Sequence, residues 1–406
     1  MDYKTHKFNN GIRIVHVETK SAVAHCGLII NAGSRDENTD EHGMAHFIEH
    51  AIFKGTKKRK AYHVLSRLDD VGGEINAYTS KEDTCIQTSF LKTNYERALE
   101  LIYDISFNST FPVKEINKEK DVIIEEINSY KDDPADIIFD DFEELIFRNQ
   151  AIGKNILGEP KSIKLFTKEK IEKFIKNNYH TNEMVICSIG DISFEKFKSL
   201  AEKYFSTIKK NYKTKNRLKP INNTPIIKTI NKHTHQAHCI IGNTAYDINS
   251  IYKTPMTLLD NILGGPALNS RLNLSLREKY GYAYHVESNY SPYSDIGIFS
   301  VYFGSDKINI EKSIKLVKKE FNRLKTKNLG TLQLSKAKKQ LYGQIAISND
   351  NKANILPAIG KSIILYNKID SMHDIYKKIE KVTANDILEV ANDILDEDKL
   401  SMLIYK

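Results

Sequence analysis

His46-Phe47-Ile48-Glu49-His50, with the pattern H-x-x-E-H, is the stretch of the sequence on which the rest of the interpretation depends. The residues around it are apolar at helical spacing, and Gly55 follows, so the pattern predicts a short helix. Residues four apart share one face of a helix, so His46 and His50 can bind one ion. Glu49 borders the same face.

The other side of this predicted helix is apolar, because Phe47, Ile48, Ala51 and Ile52 fall there and would anchor it in a core. Two imidazoles are suitable ligands for zinc, and a neighbouring carboxylate is a suitable base for a metal-bound water. Paired histidines on a helix can equally be ordinary core or surface residues. A catalytic zinc site uses three protein ligands, so the hypothesis requires a third ligand from elsewhere in the chain.

The composition is that of a soluble globular protein, with 40% hydrophobic and 28% charged residues in a chain of 406. This length is sufficient for two or three domains. The formal net charge of +8 comes from lysines spread along helical stretches, so nucleic-acid binding is not expected. No apolar run is long enough to span a membrane, and the first residues lack the apolar segment of a signal peptide.

We therefore expect a cytoplasmic protein without membrane insertion, and a mature periplasmic form stays open. The cysteines lie far apart in strand-like stretches without C-x-x-C spacing, which predicts buried, reduced thiols. They are Cys26, Cys85, Cys187 and Cys239.

Strand-like and helical patterns recur in two halves of similar plan, which predicts an α+β fold with two domains, each an antiparallel-rich sheet packed by helices. Residues 213–224 are rich in Lys, Asn and Thr and form the best linker candidate. The sequence therefore predicts an N-terminal metal-binding domain at 1–212 and a C-terminal domain at 225–406.

A long amphipathic helix, predicted over 112–130, offers the third ligand. Glu119 and Glu126 are seven residues apart, or two helical turns, so they share one face. A pair of this kind on an isolated helix is most often two solvated glutamates. Beside H-x-x-E-H, a role for one of them as a metal ligand becomes the better interpretation.

Together these residues resemble the pitrilysin/insulinase family of zinc metallopeptidases, the inverzincins, which includes the mitochondrial processing peptidase. The resemblance extends over essentially the whole chain and implies a half clam-shell fold like that of the processing peptidase. It implies that His46, His50 and Glu126 bind Zn²⁺ and that Glu49 is the general base. Glu119 falls on the family's accessory glutamate and is expected to support catalysis.

The choice of Glu126 comes from the family's spacing, in which the third ligand lies about 76 residues beyond the second histidine. Counting from His50 gives Glu126. Its neighbour Glu125 points about 100° away around the helix, so it is the weaker candidate.

The resemblance also identifies candidate substrate contacts. Residues 72–79 resemble the family's active-site edge strand, so Asn76 and Ala77 are expected to contact an extended peptide through main-chain hydrogen bonds. An ordinary edge strand is the alternative. Arg277 and Tyr284 match the family's substrate-binding pair, and a guanidinium with a phenolic hydroxyl is suited to a developing oxyanion.

Other histidines are not expected to bind metal. His233, His235 and His238 form a histidine-rich tract without an acidic partner nearby, whereas zinc needs three converging ligands. His42, four residues before His46, is expected to cap the helix or to support the ligands.

We therefore predict a zinc-dependent endopeptidase that hydrolyses short or unfolded peptides. One alternative is a non-catalytic structural or interaction subunit of the same fold, which would have no need of the histidines and glutamates. Another is one subunit of a heterodimeric processing peptidase. Because both the zinc ligands and the Arg277/Tyr284 pair occur in this chain, a homodimer is expected, with each site built from both subunits.

Overall fold

Eleven strands and fourteen α-helices are formed by the residues that the structure, a computed structural model, describes, namely 2–221, 224–232 and 234–406. The strands are β1 (Lys4–Lys7), β2 (Arg13–Glu18), β3 (Val23–Ile30), β4 (Glu74–Thr79), β5 (Thr84–Leu91), β6 (Met184–Gly190), β7 (Ile227–Ile230), β8 (Ala237–Ala245), β9 (Ala283–Pro292), β10 (Gly297–Ser305) and β11 (Ser401–Tyr405).

The helices occur between groups of these strands in both halves of the chain. They are α1 (Met44–Ala51), α2 (Ala61–Asp69), α3 (Tyr95–Phe107), α4 (Val113–Lys131), α5 (Pro134–Ile146), α6 (Pro160–Ile163), α7 (Lys168–Asn178), α8 (Phe194–Phe205), α9 (Lys253–Gly264), α10 (Ile310–Thr326), α11 (Thr331–Ser348), α12 (Lys352–Tyr366), α13 (Met372–Lys381) and α14 (Ala384–Ile394). A π-helical segment lies at Asn273–Lys279. None of these helices is long and apolar enough to cross a membrane, as far as the structure describes the chain.

The first sheet has six strands in the order β1-β2-β6-β3-β5-β4. Side chains alternate along a strand, so Leu28 and Ile30 of β3 enter the core that α1, α3 and α4 cover. Ile29 lies between them and faces the opposite side, where α12 packs. The sheet is therefore buried on both faces. β4 lies at its edge and pairs with β5 and with no other described strand.

The second sheet has five strands in the order β7-β11-β8-β10-β9. Ile241 of β8 enters a core formed with α9, α10 and α14, whereas its neighbour Ile240 faces α5 on the other side. Each of the two sheets contains one parallel strand pair among antiparallel ones. The prediction of two similar α+β domains, each with an antiparallel-rich sheet, is confirmed.

The two compact units are not continuous in sequence, because each includes a helix from the other half of the chain. The first unit includes α12 and the second includes α5. The predicted boundaries at 1–212, 213–224 and 225–406 place α5 in the first domain and α12 in the second. Apolar periodicity shows that a helix buries one face, but it does not show which sheet covers that face. Those boundaries stay a prediction, and 222 and 223 of the predicted linker lie outside the described residues. The units comprise 1–128, 155–217 and 347–371, and 129–154, 218–346 and 372–406.

All four cysteines are buried and free, as predicted. Burial raises the pKa of Cys26 and that of Cys85 to about 12, so both thiols are protonated at neutral pH. Thiols in this form are poor nucleophiles and poor metal ligands. The cysteines are therefore core residues.

The packing of α12 on the first sheet can be tested at Gly360. A Cβ at this position would lie 2.6 Å from Cδ1 of Ile29 and 2.8 Å from Sγ of Cys187. We expect Gly360→Ala to lower the free energy of unfolding by about 1–3 kcal/mol, because the core would be overpacked. The measurement is urea unfolding followed by circular dichroism.

Gly343 in α11 provides the matched control. A Cβ there would meet nothing within 4 Å, so Gly343→Ala should gain about 0.5–1 kcal/mol from helix propensity. Equal stability changes for the two variants would show that α12 does not pack tightly on this sheet.

Candidate metal centre

Helix α1, which carries H-x-x-E-H, is fixed by its apolar side and by its first turn. Phe47 and Ile48 are fully buried in the first core, as predicted. The carboxylate of Glu37 accepts hydrogen bonds of 2.9 Å from the backbone N–H groups of Gly43 and Ala45. A carboxylate at a helix N-terminus satisfies free N–H groups and stabilises the helix dipole. The helix therefore has one orientation in the core.

The structure brings His46, His50 and Glu126 together, with their ligand atoms all within 4.8 Å of one another. Nε2 of His46 lies 3.7 Å from Oε1 of Glu126, and Nε2 of His50 lies 3.6 Å from Oε2 of the same carboxylate. Ligand atoms about 2.1 Å from a tetrahedral ion are about 3.4 Å apart, so these three side chains fit a zinc ion. Within the described part of the chain, no other group of His, Cys, Asp and Glu is arranged in this way.

The environment of this triad also suits a metal ion. Burial, together with the neighbouring His50, lowers the pKa of His46 to about 4, so its imidazole is neutral at pH 7, as a ligand must be. The Glu126 side chain is 42% exposed, which leaves the centre open to solvent on one side. A catalytic zinc site needs such an open position. Glu125 is exposed and is not part of the group.

Behind His50, the carboxylate of Glu119 holds the imidazole ring in place. Its Oε1 lies 2.9 Å from Nδ1 of His50, and its Oε2 lies 2.8 Å from Nζ of Lys54. Burial alone would raise the pKa of Glu119, but the hydrogen bonds with His50 and Lys54 outweigh it and hold the pKa below its usual value. The ionised Glu119 accepts a hydrogen bond from the Nδ1–H group of His50, which directs Nε2 of His50 towards Glu126.

His50 itself is surrounded by carboxylates. Burial lowers its pKa, but the hydrogen bond with Glu119 and the charges of Glu126 and Glu49 more than offset this, and the pKa is raised. An excess of negative charge that holds a proton on His50 would equally favour a divalent cation in the centre.

Glu49, the predicted general base, lies on α1 with His46 and His50. It is half-buried on the ligand-bearing helix, near Thr79 at the end of β4. Burial raises its pKa, and hydrogen bonds from Thr79 offset this only in part. A carboxylate with a raised pKa accepts protons more readily near neutral pH.

Three of the predicted substrate contacts lie on edge strands, and the fourth, Arg277, lies on the π-helical segment. Asn76 is exposed on β4, and its Oδ1 accepts a hydrogen bond of 2.9 Å from the backbone N–H of the half-buried Ala77. In the second unit, the guanidinium of Arg277 lies 4.9 Å from the ring centroid of Tyr284. Tyr284 is 80% exposed on the edge strand β9, so it is available to a ligand. The structure thus brings together the members of each predicted pair.

Neither His42 nor the described part of the histidine-rich tract belongs to the metal group. His42 donates from Nε2 to the backbone carbonyl of Asn155, 2.9 Å away. His238 is buried, and its Nδ1 lies 2.8 Å from the hydroxyl of Tyr302. His235 is exposed, and His233 lies outside the described residues.

Three residues of the centre were missed by the sequence analysis, namely Glu37, Lys54 and Thr79. Lys54 lies beyond the end of α1, and only its ion pair with Glu119 of α4 places it in the centre. Glu37 lies before the helix, where an acidic residue is typical of an N-terminus. Thr79 had no such signal, because only the packing of β4 brings it to Glu49.

Comparisons with known proteins identify the family of the chain. Residues 13–160 match the family described as Insulinase (Peptidase family M16), and residues 165–341 match the Peptidase M16 inactive domain. An uncharacterized zinc protease of Rickettsia felis is 33% identical over 99% of this chain and 97% of its own length. An uncharacterized zinc protease of Bacillus subtilis is 31% identical over 99% of this chain and 98% of its own length.

Two further similarities concern a eukaryotic relative and a solved structure. The mitochondrial-processing peptidase subunit beta of Saccharomyces cerevisiae is 28% identical over 98% of this chain and 90% of its own. The crystal structure of a protease from Helicobacter pylori has a TM-score of 0.92 at 21% identity, over 100% of this chain and 99% of the other, and so shares the fold. The chain therefore belongs to the insulinase (M16) family of zinc-dependent peptidases.

Proposed function

We propose that this protein is a zinc-dependent endopeptidase that cuts short or unfolded peptides. The observation that carries the proposal is that Nε2 of His46 and Nε2 of His50 both approach the carboxylate of Glu126. Glu49 lies on α1 with the two histidines. A zinc ion held by these three ligands would polarise the scissile carbonyl and lower the pKa of an attacking water.

The remaining chemistry belongs to residues of this chain. Glu49 accepts the proton of the attacking water and then passes it to the leaving amine, for which its raised pKa is favourable. Glu119 acts through the hydrogen bond that fixes the ring of His50, and Lys54 neutralises the charge of Glu119. Glu119 and Lys54 are therefore positioning residues.

The substrate is proposed to bind as an extended strand beside β4. The Oδ1 of Asn76 accepts a hydrogen bond from the N–H of Ala77, and a substrate carbonyl could take its place. Recognition through the main chain explains why such an enzyme would have a loose sequence preference. Arg277 and Tyr284 are proposed to bind the substrate and to stabilise the developing oxyanion.

Two other functions are compatible with this fold. A non-catalytic interaction subunit would not need a buried carboxylate that orients His50, and the cost of burying Glu119 argues against it. A heterodimer is suggested by the yeast relative, whose name describes one subunit of a peptidase. We favour a homodimer because both residue sets occur in one chain. A cytoplasmic location stays a prediction.

The assignment of the third zinc ligand can be tested by substituting two adjacent glutamates one at a time. Glu126→Gln should lose most of its bound zinc, because an anionic ligand becomes a neutral amide. Glu125→Gln is the matched control and should retain zinc, since this side chain is exposed and outside the triad. Zinc per chain would be measured by elemental analysis after dialysis. Loss of zinc in the control variant alone would identify Glu125 as the ligand.

The role of Glu49 predicts a separation of metal binding from catalysis. Glu49→Gln should keep its zinc but lose about 100-fold or more of its peptide hydrolysis, because the base is removed and the ligands remain. The assay would use an unstructured fluorogenic peptide, with a stably folded domain as a second substrate that the wild type should spare. Hydrolysis by Glu49→Gln at near wild-type rates would exclude this residue as the base.

The homodimer proposal predicts that two inactive variants can restore each other. Glu49→Gln and Arg277→Ala should each be nearly inactive alone. If each site combines Glu49 of one subunit with Arg277 of the other, a mixed dimer has one intact site, and activity should recover towards half of wild type per mixed dimer. Subunit exchange would be confirmed with differently tagged chains. Confirmed exchange without recovery would mean that both residues act within one chain.

A further inference from the structure

A cavity with a volume of about 390 Å³ lies in the second unit, between the π-helical segment and α10. Four of its lining residues are cationic, and the only acidic residue that lines it is Glu320. We call this cavity the basic pocket. The cationic residues are Arg271, Lys279, Lys319 and Arg323.

Glu320 holds the two arginines at the wall of the pocket. Its side chain is buried, with Oε1 2.5 Å from a guanidinium nitrogen of Arg323 and Oε2 4.0 Å from one of Arg271. A buried carboxylate needs such partners. It neutralises only one of the four positive charges, so the pocket keeps an excess of positive charge.

The two lysines of the pocket add to this excess. Neither Lys279 nor Lys319 forms an ion pair with any carboxylate that the structure describes. Burial lowers the pKa of Arg271, and the neighbouring Arg323 lowers it further against the opposing effect of Glu320. Like charges gathered around one cavity repel each other, and a bound anion would relieve that repulsion.

The residue types favour a phosphate group over a carboxylate. This chain is rich in lysine and poor in arginine, yet two arginines face the same cavity. Planar guanidinium groups bind phosphate oxygens in pairs, and lysines add point charges. The pocket already contains the negative charge of Glu320 and still has an excess of positive charge. A ligand carboxylate would add one negative charge, whereas a phosphate monoester adds up to two.

The size and the apolar walls of the pocket indicate an organic group on the phosphate. A volume of this size falls in the range of pockets that enclose small organic ligands, roughly 300–1,000 Å³. Tyr280, Leu274 and Leu316 line it beside the cations. Tyr280 and Leu274 remain 41% and 49% exposed, so an apolar ligand group could cover them.

We propose that the basic pocket is a binding site for a small organic phosphate. The phosphate lies against Arg271, Arg323 and Lys319, and the organic group lies against Tyr280 and Leu274. This site is independent of the zinc ligands and does not rest on the proposed peptidase activity.

The test is isothermal titration calorimetry of the full chain with AMP, a phosphate monoester that carries a flat organic group. AMP should bind saturably, and adenosine, which lacks the phosphate, should not. Lys319→Gln should weaken the binding of AMP about tenfold, because it removes a charge-assisted contact with the phosphate. Lys319 forms no ion pair with a described carboxylate, so Lys319→Gln should keep the wild-type melting temperature.

Lys315→Gln is the matched control, since Lys315 is exposed on the same helix as Lys319 but does not line the pocket. Its affinity for AMP should remain within about twofold of wild type. If Lys315→Gln and Lys319→Gln weakened the binding of AMP equally, the effect would come from general surface charge, and the proposal would be overturned. The absence of saturable AMP binding to the wild type would overturn it, as would tighter binding of a hexaglutamate peptide than of AMP.

Discussion

The burial of helix α1 is the constraint on which the metal centre depends. Phe47 and Ile48 are fully buried, so the helix cannot rotate about its axis without exposing them. The imidazoles of His46 and His50 are thereby fixed on the opposite side. Helix α4 is held in the same core by Ile123, which places Glu126 against both histidines. A site built on packed helices holds its ligands more accurately than one built on loops.

A second layer of charges completes the centre. A buried carboxylate such as Glu119 is costly unless it is paired, and His50 and Lys54 supply its partners at 2.9 and 2.8 Å. The hydrogen bond with Glu119 also places the proton of the neutral His50 ring on Nδ1. Because the pKa of His50 is raised, protons and metal ions compete for its Nε2, so the affinity for a divalent cation should fall as the pH decreases.

Part of this centre could be predicted from helical periodicity, whereas the choice of Glu126 as the third ligand came from the family's spacing. The spacing within H-x-x-E-H and the two turns between Glu119 and Glu126 are local features that a single sequence displays. Thr79 could not be predicted, since only strand pairing and packing bring it to Glu49. The exchange of α5 and α12 between the two units could not be predicted either, because an apolar stripe on a helix does not show which sheet covers it. Long-range packing decides both.

The placement of α12 also constrains how the protein is made. Its apolar residues cover a sheet face whose last strand, β6, ends at Gly190. The ribosome must therefore synthesise everything from α8 to α11 before this cover exists. At about 5–20 residues per second, Val15 and Ile29 stay open to water and to other chains for on the order of ten seconds. The first unit is thus completed late, and until then its nascent form exposes an apolar sheet face, which favours aggregation.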